Sequence, residues 1–185
     1  MKKIIGIAGN ARSGKDTVGG LLKDIFEKQG HNVRVVSFAA ALRDELNDFC
    51  MEKLGISSYT TDDDEKKIIR PLLVCWGTEI RRALDESYWV NALERGMAND
   101  DPDTLYIVTD LRFENEFNWI KSVGGTTLYL ERNTIAPANE YEYVNNKILY
   151  NLVDFVWEMP TTRDMETLKE YTEKICLHSF KNLIQ

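Results

Sequence analysis

The sequence predicts an α/β fold: a parallel five-stranded sheet, helices packed against it, and a helical insertion between the second and third strands. Three observations carry this. The chain opens on a short apolar run, KIIGIA (3–8), then alternates a helix-period pattern with a second apolar run and a second helix-period pattern. That β-α-β-α order implies parallel strands joined by crossover helices. Strand-like runs return at TLYIVTD (104–110), TTLYLER (126–132) and LVDFVWEMP (152–160), and the stretch before the first of them is helical in pattern.

Taken in order, the first helix runs from Lys15 to Gln29, with Val18, Leu21, Leu22, Ile25 and Phe26 at spacings of three and four and Gly30 as a stop. VRVVSF (33–38) is the second strand. AAALRDELNDFCMEKLG (39–55) is a second helix closed by Gly55. SSYTTDDDEKK (57–67) has the composition of solvated acidic surface. IIRPLLVCWGTEIRRAL (68–84) and SYWVNALERGM (87–97) are helical, with expected breaks at Pro71, at Gly77 and at the Asp85-Glu86 turn. FENEFNWIKSVGG (113–125) is a helix ending at paired glycines. NTIAPANEYEYVNNK (133–147) is a polar excursion. TRDMETLKEYTEKICLHSF (162–180) closes the chain as a helix with Met165, Leu168, Tyr171 and Ile175 on one face. The expectation is one domain, 1–185. Its core is 1–55 and 101–185, its helical insertion about 56–100, and a lid-like excursion occupies about 131–147.

Bulk properties narrow the function. A 185-residue chain with 43% hydrophobic and 29% charged residues is an ordinary globular one. Net charge of -7 and a pI of about 5.0 argue against a surface that wraps duplex nucleic acid, while leaving room for a local basic pocket. Cys50, Cys75 and Cys176 are widely spaced and form no C-x-x-C pair, which fits a reducing cytoplasm rather than a disulfide framework. His31 and His178 are too isolated to suggest a metal site. No run approaches the ~18 apolar residues a membrane span needs.

Residues 9–16, GNARSGKD, fit G-x-x-x-x-G-K followed by Asp where Ser or Thr is usual. The match follows the first strand and opens the first helix, which is the context a phosphate-binding loop requires. Glycines let the backbone curl with its N–H groups inward, and the helix points its positive end at the same spot. Gly9, Ala11, Ser13, Gly14, Lys15, Asp16 and Thr17 are therefore placed around the phosphates of ATP. Asp16 and Thr17 are candidate ligands for Mg²⁺, with Asp110 as a third.

A phosphate loop alone says nucleotide, not reaction. TLYIVTDLRFENE delivers Asp110 to the carboxyl edge of the sheet, where open α/β sheets bind ligands, with Arg112 two residues later. An aspartate there holds Mg²⁺ or fixes an arginine, and an arginine there grips a second phosphoryl group. Arg70, Arg81 and Arg82 stand beside Trp76 and Trp89 in the insertion, a mixture suited to a base plus a phosphate. The plainer alternatives are a helix cap for Asp110, solvated surface for Arg112 and Arg82, and core for the tryptophans.

GNARSGKDT, SFAAALRDEL, RPLLVCWGTEIRR…YWV and TDLRFENEFNWIKSVGG occur in this order across nearly the whole chain. Together they resemble the deoxynucleoside monophosphate kinases of tailed bacteriophages. The resemblance implies the three-layer fold of adenylate-kinase-like P-loop kinases and transfer from ATP, with Mg²⁺, to deoxynucleoside monophosphates for phage DNA synthesis. It also implies a host cytoplasmic setting and a homodimer as one assembly. On the residues, it puts Lys15 on the donor phosphates and Arg70, Arg81, Arg82, Asp110 and Arg112 on the acceptor side. Glu116, in the same D-x-R-F-x-N-E segment, and the two tryptophans join the acceptor group. FAAALR replaces the family's FADPLK, so an acidic contact near residue 40 is missing. The excursion after the fourth strand offers Arg132 as its lid arginine, beside the more distant Lys147.

The expected chemistry is in-line transfer to an acceptor phosphate oxygen, which is already anionic and needs no general base. Lys15, Asp110, Arg112 and Arg132 are the expected catalytic group. The alternatives are another small-molecule P-loop kinase, above all phosphomevalonate kinase, which shares the G-K-D loop and a D-x-R segment, and a non-catalytic nucleotide switch. A polynucleotide 5′-end kinase is disfavoured by the acidic balance.

Overall fold

The computed structural model describes residues 3–132, 134–137, 140–162 and 164–181 and, of Tyr141, the backbone alone. Five strands form one parallel sheet in the order β2-β3-β1-β4-β5: β1 (Lys3–Gly9), β2 (Val33–Val36), β3 (Leu105–Val108), β4 (Thr126–Glu131) and β5 (Phe155–Glu158). The expected fold class is the observed one. β1 is central and buried from Ile4 to Gly9, which is why it reads as an unbroken apolar run rather than an alternating one.

The chain divides into two compact units, Met1–Val36 with Asp100–Gln185, and Ser37–Asn99. In the first, α1 (Lys15–Lys28) and α7 (Met165–Ser179) pack together and share a core with the sheet. Ile5 and Ile7 of β1 join Leu22, Ile25 and Phe26 of α1 and Leu168 and Cys176 of α7 there. The alternate residues of β1 take the other face: Ile120 of α5 (Glu114–Ser122) lies over Gly6. Helix α6 (Glu140–Leu152) packs beside α5 and against β1. The sequence treats 133–147 as a polar excursion; much of it is α6. Its inward positions include a polar one, Asn146, beside Leu149, so the apolar periodicity that reveals α1 is missing. Residues 133, 138 and 139 of the expected lid lie outside the described residues.

The second unit holds α2 (Phe38–Leu54), α3 (Asp63–Val74), a π-helical segment (Cys75–Arg82) and α4 (Tyr88–Gly96). The division begins at Ser37, so α2, assigned to the core by sequence, groups instead with α3 and α4, against which it packs. Three local expectations change. Phe38, expected to end the second strand, opens α2, because Ser37 caps it by accepting from the Ala40 N–H. The acidic run is a helix start: Asp62 Oδ1 accepts from the Asp64 and Glu65 amides, and Asp63, Asp64 and Glu65 fill the positive first turn. Finally, Pro71 and Gly77 interrupt nothing. Pro71 sits inside α3, which passes directly into the π segment. Gly77 is buried for contact rather than for a turn: a Cβ there would stand 2.8 Å from Leu42 Cδ2.

Candidate functional site

The carboxyl ends of β1 and β3 bring the sequence motifs together. After Gly9 the chain turns, Ser13 N–H donating to Asn10 O (3.1 Å), and enters α1 through Gly14 at φ 94°. Gly9 is required: its φ is 143°, and a Cβ would come 2.7 Å from Leu130 O and 2.9 Å from Ser13 Oγ. Ser13 is 1% exposed, and its hydroxyl has no hydrogen-bond partner among the described residues. A buried, unpartnered donor on a turn that opens a helix N-terminus is the arrangement a phosphate completes, so the residues present fit a polyphosphate.

Lys15 is folded inward. Its Nζ donates to Gly9 O and Asn10 O, both at 2.8 Å. Its pKa is lowered to about 8, by burial first and then by Arg112, against the pull of Glu142, Asp16 and Asp110. Those four charges thus gather round the lysine with Asp16 and Thr17 exposed on the first turn of α1. Arg112 is exposed, and its backbone is fixed from behind: Glu116 Oε2 accepts from the Arg112 (2.8 Å) and Phe113 (3.1 Å) amides. At 1% exposure Glu116 shapes this loop from the interior, rather than standing among acceptor contacts as the sequence suggests. Arg132 runs past Gly14, its Nη2 3.8 Å from where a side chain would begin there, with Nε buried and unpartnered among the described residues. Among those residues no three His, Cys, Asp or Glu side chains gather as a metal cluster.

The sequence missed several loop partners. Arg12 is an exposed loop cation in left-handed backbone, φ 65°. Asn10 Nδ2 donates to Ile135 O (2.7 Å), and Asn10 Oδ1 accepts from Asn146 Nδ2 (2.7 Å) and Tyr129 OH (3.3 Å). Ala11 N–H donates to Glu142 Oε1 (2.8 Å). Glu142 and Asn146 are one helical turn apart, but nothing in the sequence says what such a pair grips.

In the second unit Arg81, Trp76 and Tyr88 converge on Glu45. Arg81 lies 5.0 Å from the Trp76 ring centre and 4.7 Å from that of Tyr88, and its Nη2 donates to Glu45 Oε1. Trp76 Nε1 donates to the same oxygen (3.1 Å) and Tyr88 OH to the other (3.0 Å). Burial raises the Glu45 pKa, but the bonds from Arg81, Trp76 and Tyr88 outweigh it and hold the carboxyl below its usual range. The π winding brings Trp76 and Arg81, five apart, onto one side. Trp89, grouped with the substrate contacts by sequence, is 3% exposed and gives its indole N–H to Gly77 O (2.9 Å), which makes it interior packing. Arg70 is exposed on α3, and Arg82 is half-buried at the end of the π segment.

The family model for phosphomevalonate kinase matches residues 7–126, from β1 through the phosphate loop, the whole second unit and the Asp110 segment. The chain belongs to the phosphomevalonate kinase family. No curated protein sequence matches it. Among solved structures it is similar to shikimate kinase from Bacteroides thetaiotaomicron, at 12% identity over 94% of this chain and 96% of that one, TM-score 0.50. It is also similar to a gluconokinase from Sinorhizobium meliloti 1021, at 13% identity over 98% and 95%, TM-score 0.49. Shikimate kinase from Aquifex aeolicus aligns at 16% identity over 97% of each chain, TM-score 0.48. The first of these likenesses carries the fold. Family and fold together place the chain among P-loop small-molecule kinases, the class to which the sequence resemblance also points.

Proposed function

We propose that this member of the phosphomevalonate kinase family transfers the γ-phosphoryl group of ATP to a phosphorylated small molecule, and that a deoxynucleoside monophosphate is its acceptor. The observation that carries the kinase reading is the loop itself: an unpartnered buried Ser13 hydroxyl and the Lys15 ammonium on the turn between β1 and α1, with Asp16, Asp110 and Arg112 around the lysine. Ser13, Gly14, Lys15 and Thr17 hold the donor's phosphates. Lys15 leaves its two carbonyls and follows the transferring group. Arg112 and Arg132 neutralise charge as the two phosphoryl groups approach. Mg²⁺, held through Asp16, Thr17 and Asp110, supplies further charge neutralisation when bound.

Support for a base-bearing acceptor comes from Arg81, held by Glu45 between Trp76 and Tyr88, and from the WGTEIRR and DLRFENE segments. Arg70 and Arg82 complete the proposed acceptor group. A second reading, phosphomevalonate as acceptor, is favoured by the family match. One assay separates them: ADP release with ATP and Mg²⁺ against deoxynucleoside monophosphates, ribonucleoside monophosphates, phosphomevalonate and 5′-OH oligonucleotides. Turnover on the first group alone is expected. Turnover on phosphomevalonate alone replaces the acceptor but keeps the mechanism, and silence on all four removes the kinase proposal.

A further inference from the structure

The phosphate loop already carries an anion. Glu142 Oε1 accepts the Ala11 N–H at 2.8 Å, and its charge is felt at Lys15, where it opposes the lowering by burial and Arg112. The contact is built rather than incidental. One turn on, Asn146, 6% exposed, donates to Asn10 Oδ1 at 2.7 Å, and Asn10 in turn donates to Ile135 O. Thus two adjacent loop residues are gripped by α6 and by the segment before it, and the gripping group on Ala11 is a carboxylate. The Ser13 hydroxyl, by contrast, is left without a partner among the described residues.

We propose that Glu142 is an internal competitor for the donor's polyphosphate, a conclusion that rests on the loop being the donor site. With no nucleotide bound, its carboxylate offsets the positive charge of the loop and ties α6 to Ala11. An incoming polyphosphate brings like charge to the same ground and drives the carboxylate off, so α6 is released from Ala11 only when the loop fills. The repulsion grows with the number of phosphates, so Glu142 lowers affinity most for the triphosphate.

The test is calorimetric titration of the full chain with ATP, ADP and AMP at fixed low salt, for the wild type, Glu142→Gln and Glu142→Ala. Gln keeps the shape and an acceptor oxygen for Ala11 while removing the charge. Both variants are expected to bind ATP roughly 3- to 10-fold more tightly, the size of one partly screened like-charge contact, with a smaller gain for ADP and none for AMP. Unchanged or weaker ATP binding in the Gln variant, or an equal gain on all three nucleotides, overturns the proposal. Failure of the donor-site reading shows separately: Lys15→Ala, in an otherwise wild-type chain, would then leave ATP binding untouched.

Discussion

Lys15 has two roles that pull against each other. Folded onto Gly9 O and Asn10 O it is buried, and its pKa falls to about 8. Its ordinary value in the unfolded chain is higher, so between about pH 8 and 10.5 the unfolded state binds the extra proton and stability of the nucleotide-free protein rises with pH. ATP binding runs the other way, because the phosphates need the ammonium form: affinity should decline as pH climbs past 8. Denaturant melts and titrations at pH 7, 8, 9 and 10 should show both slopes in the wild type and neither in Lys15→Met. Arg81 makes a different demand. A lysine there would keep the charge but lose the flat stacking on Trp76 and Tyr88, so Arg81→Lys should raise the acceptor KM about tenfold with the ATP KM unchanged. Lys15 was legible from GNARSGKD because loop, strand and helix come in one stretch of chain. Glu45, by contrast, gives no sign in the sequence that it faces Arg81, Trp76 and Tyr88, since its partners lie more than 30 positions away.

Elements announce themselves when burial makes them periodic. Helix α1 covers the sheet with Val18, Leu21, Leu22, Ile25 and Phe26, and its boundaries follow from the pattern within a residue or so. Helix α6 leaves Tyr143, Val144 and Ile148 exposed and turns Asn146 inward, so hydropathy hides it. The π segment hides for the opposite reason: Pro71 and Gly77 look like interruptions but are accommodated within continuous winding. Gly77→Ala tests this. A glycine in open helix would gain from the change, whereas here the added methyl meets Leu42, and a loss of about 1–3 kcal/mol in chemical denaturation is expected. Asn146→Ala probes the grip of α6 on the loop: amide exchange at Asn10 and Ala11 should quicken while exchange in β1 stays slow.

At the scale of the whole molecule, the α/β class and the strand count were readable because every crossover but the last, which is α6, leaves a helix pattern between two apolar runs. The spatial order β2-β3-β1-β4-β5 was not, since nothing in a strand's own residues names its neighbours. The core that this order creates should fail cooperatively: Phe26, fully buried against His31 and Phe180, costs about 3–5 kcal/mol when cut to alanine, read as a lower melting temperature in calorimetry. The central position of β1 has another effect, felt before the protein is finished. β1 is made before the other strands, yet both strands that flank it are made late. β3 starts about 100 residues downstream, which at ribosomal speeds of roughly 5–20 residues per second is a wait of about 5–20 s. Through that interval the nascent chain carries IIGIA with neither edge covered, a sticky segment for which chaperones and neighbouring chains compete.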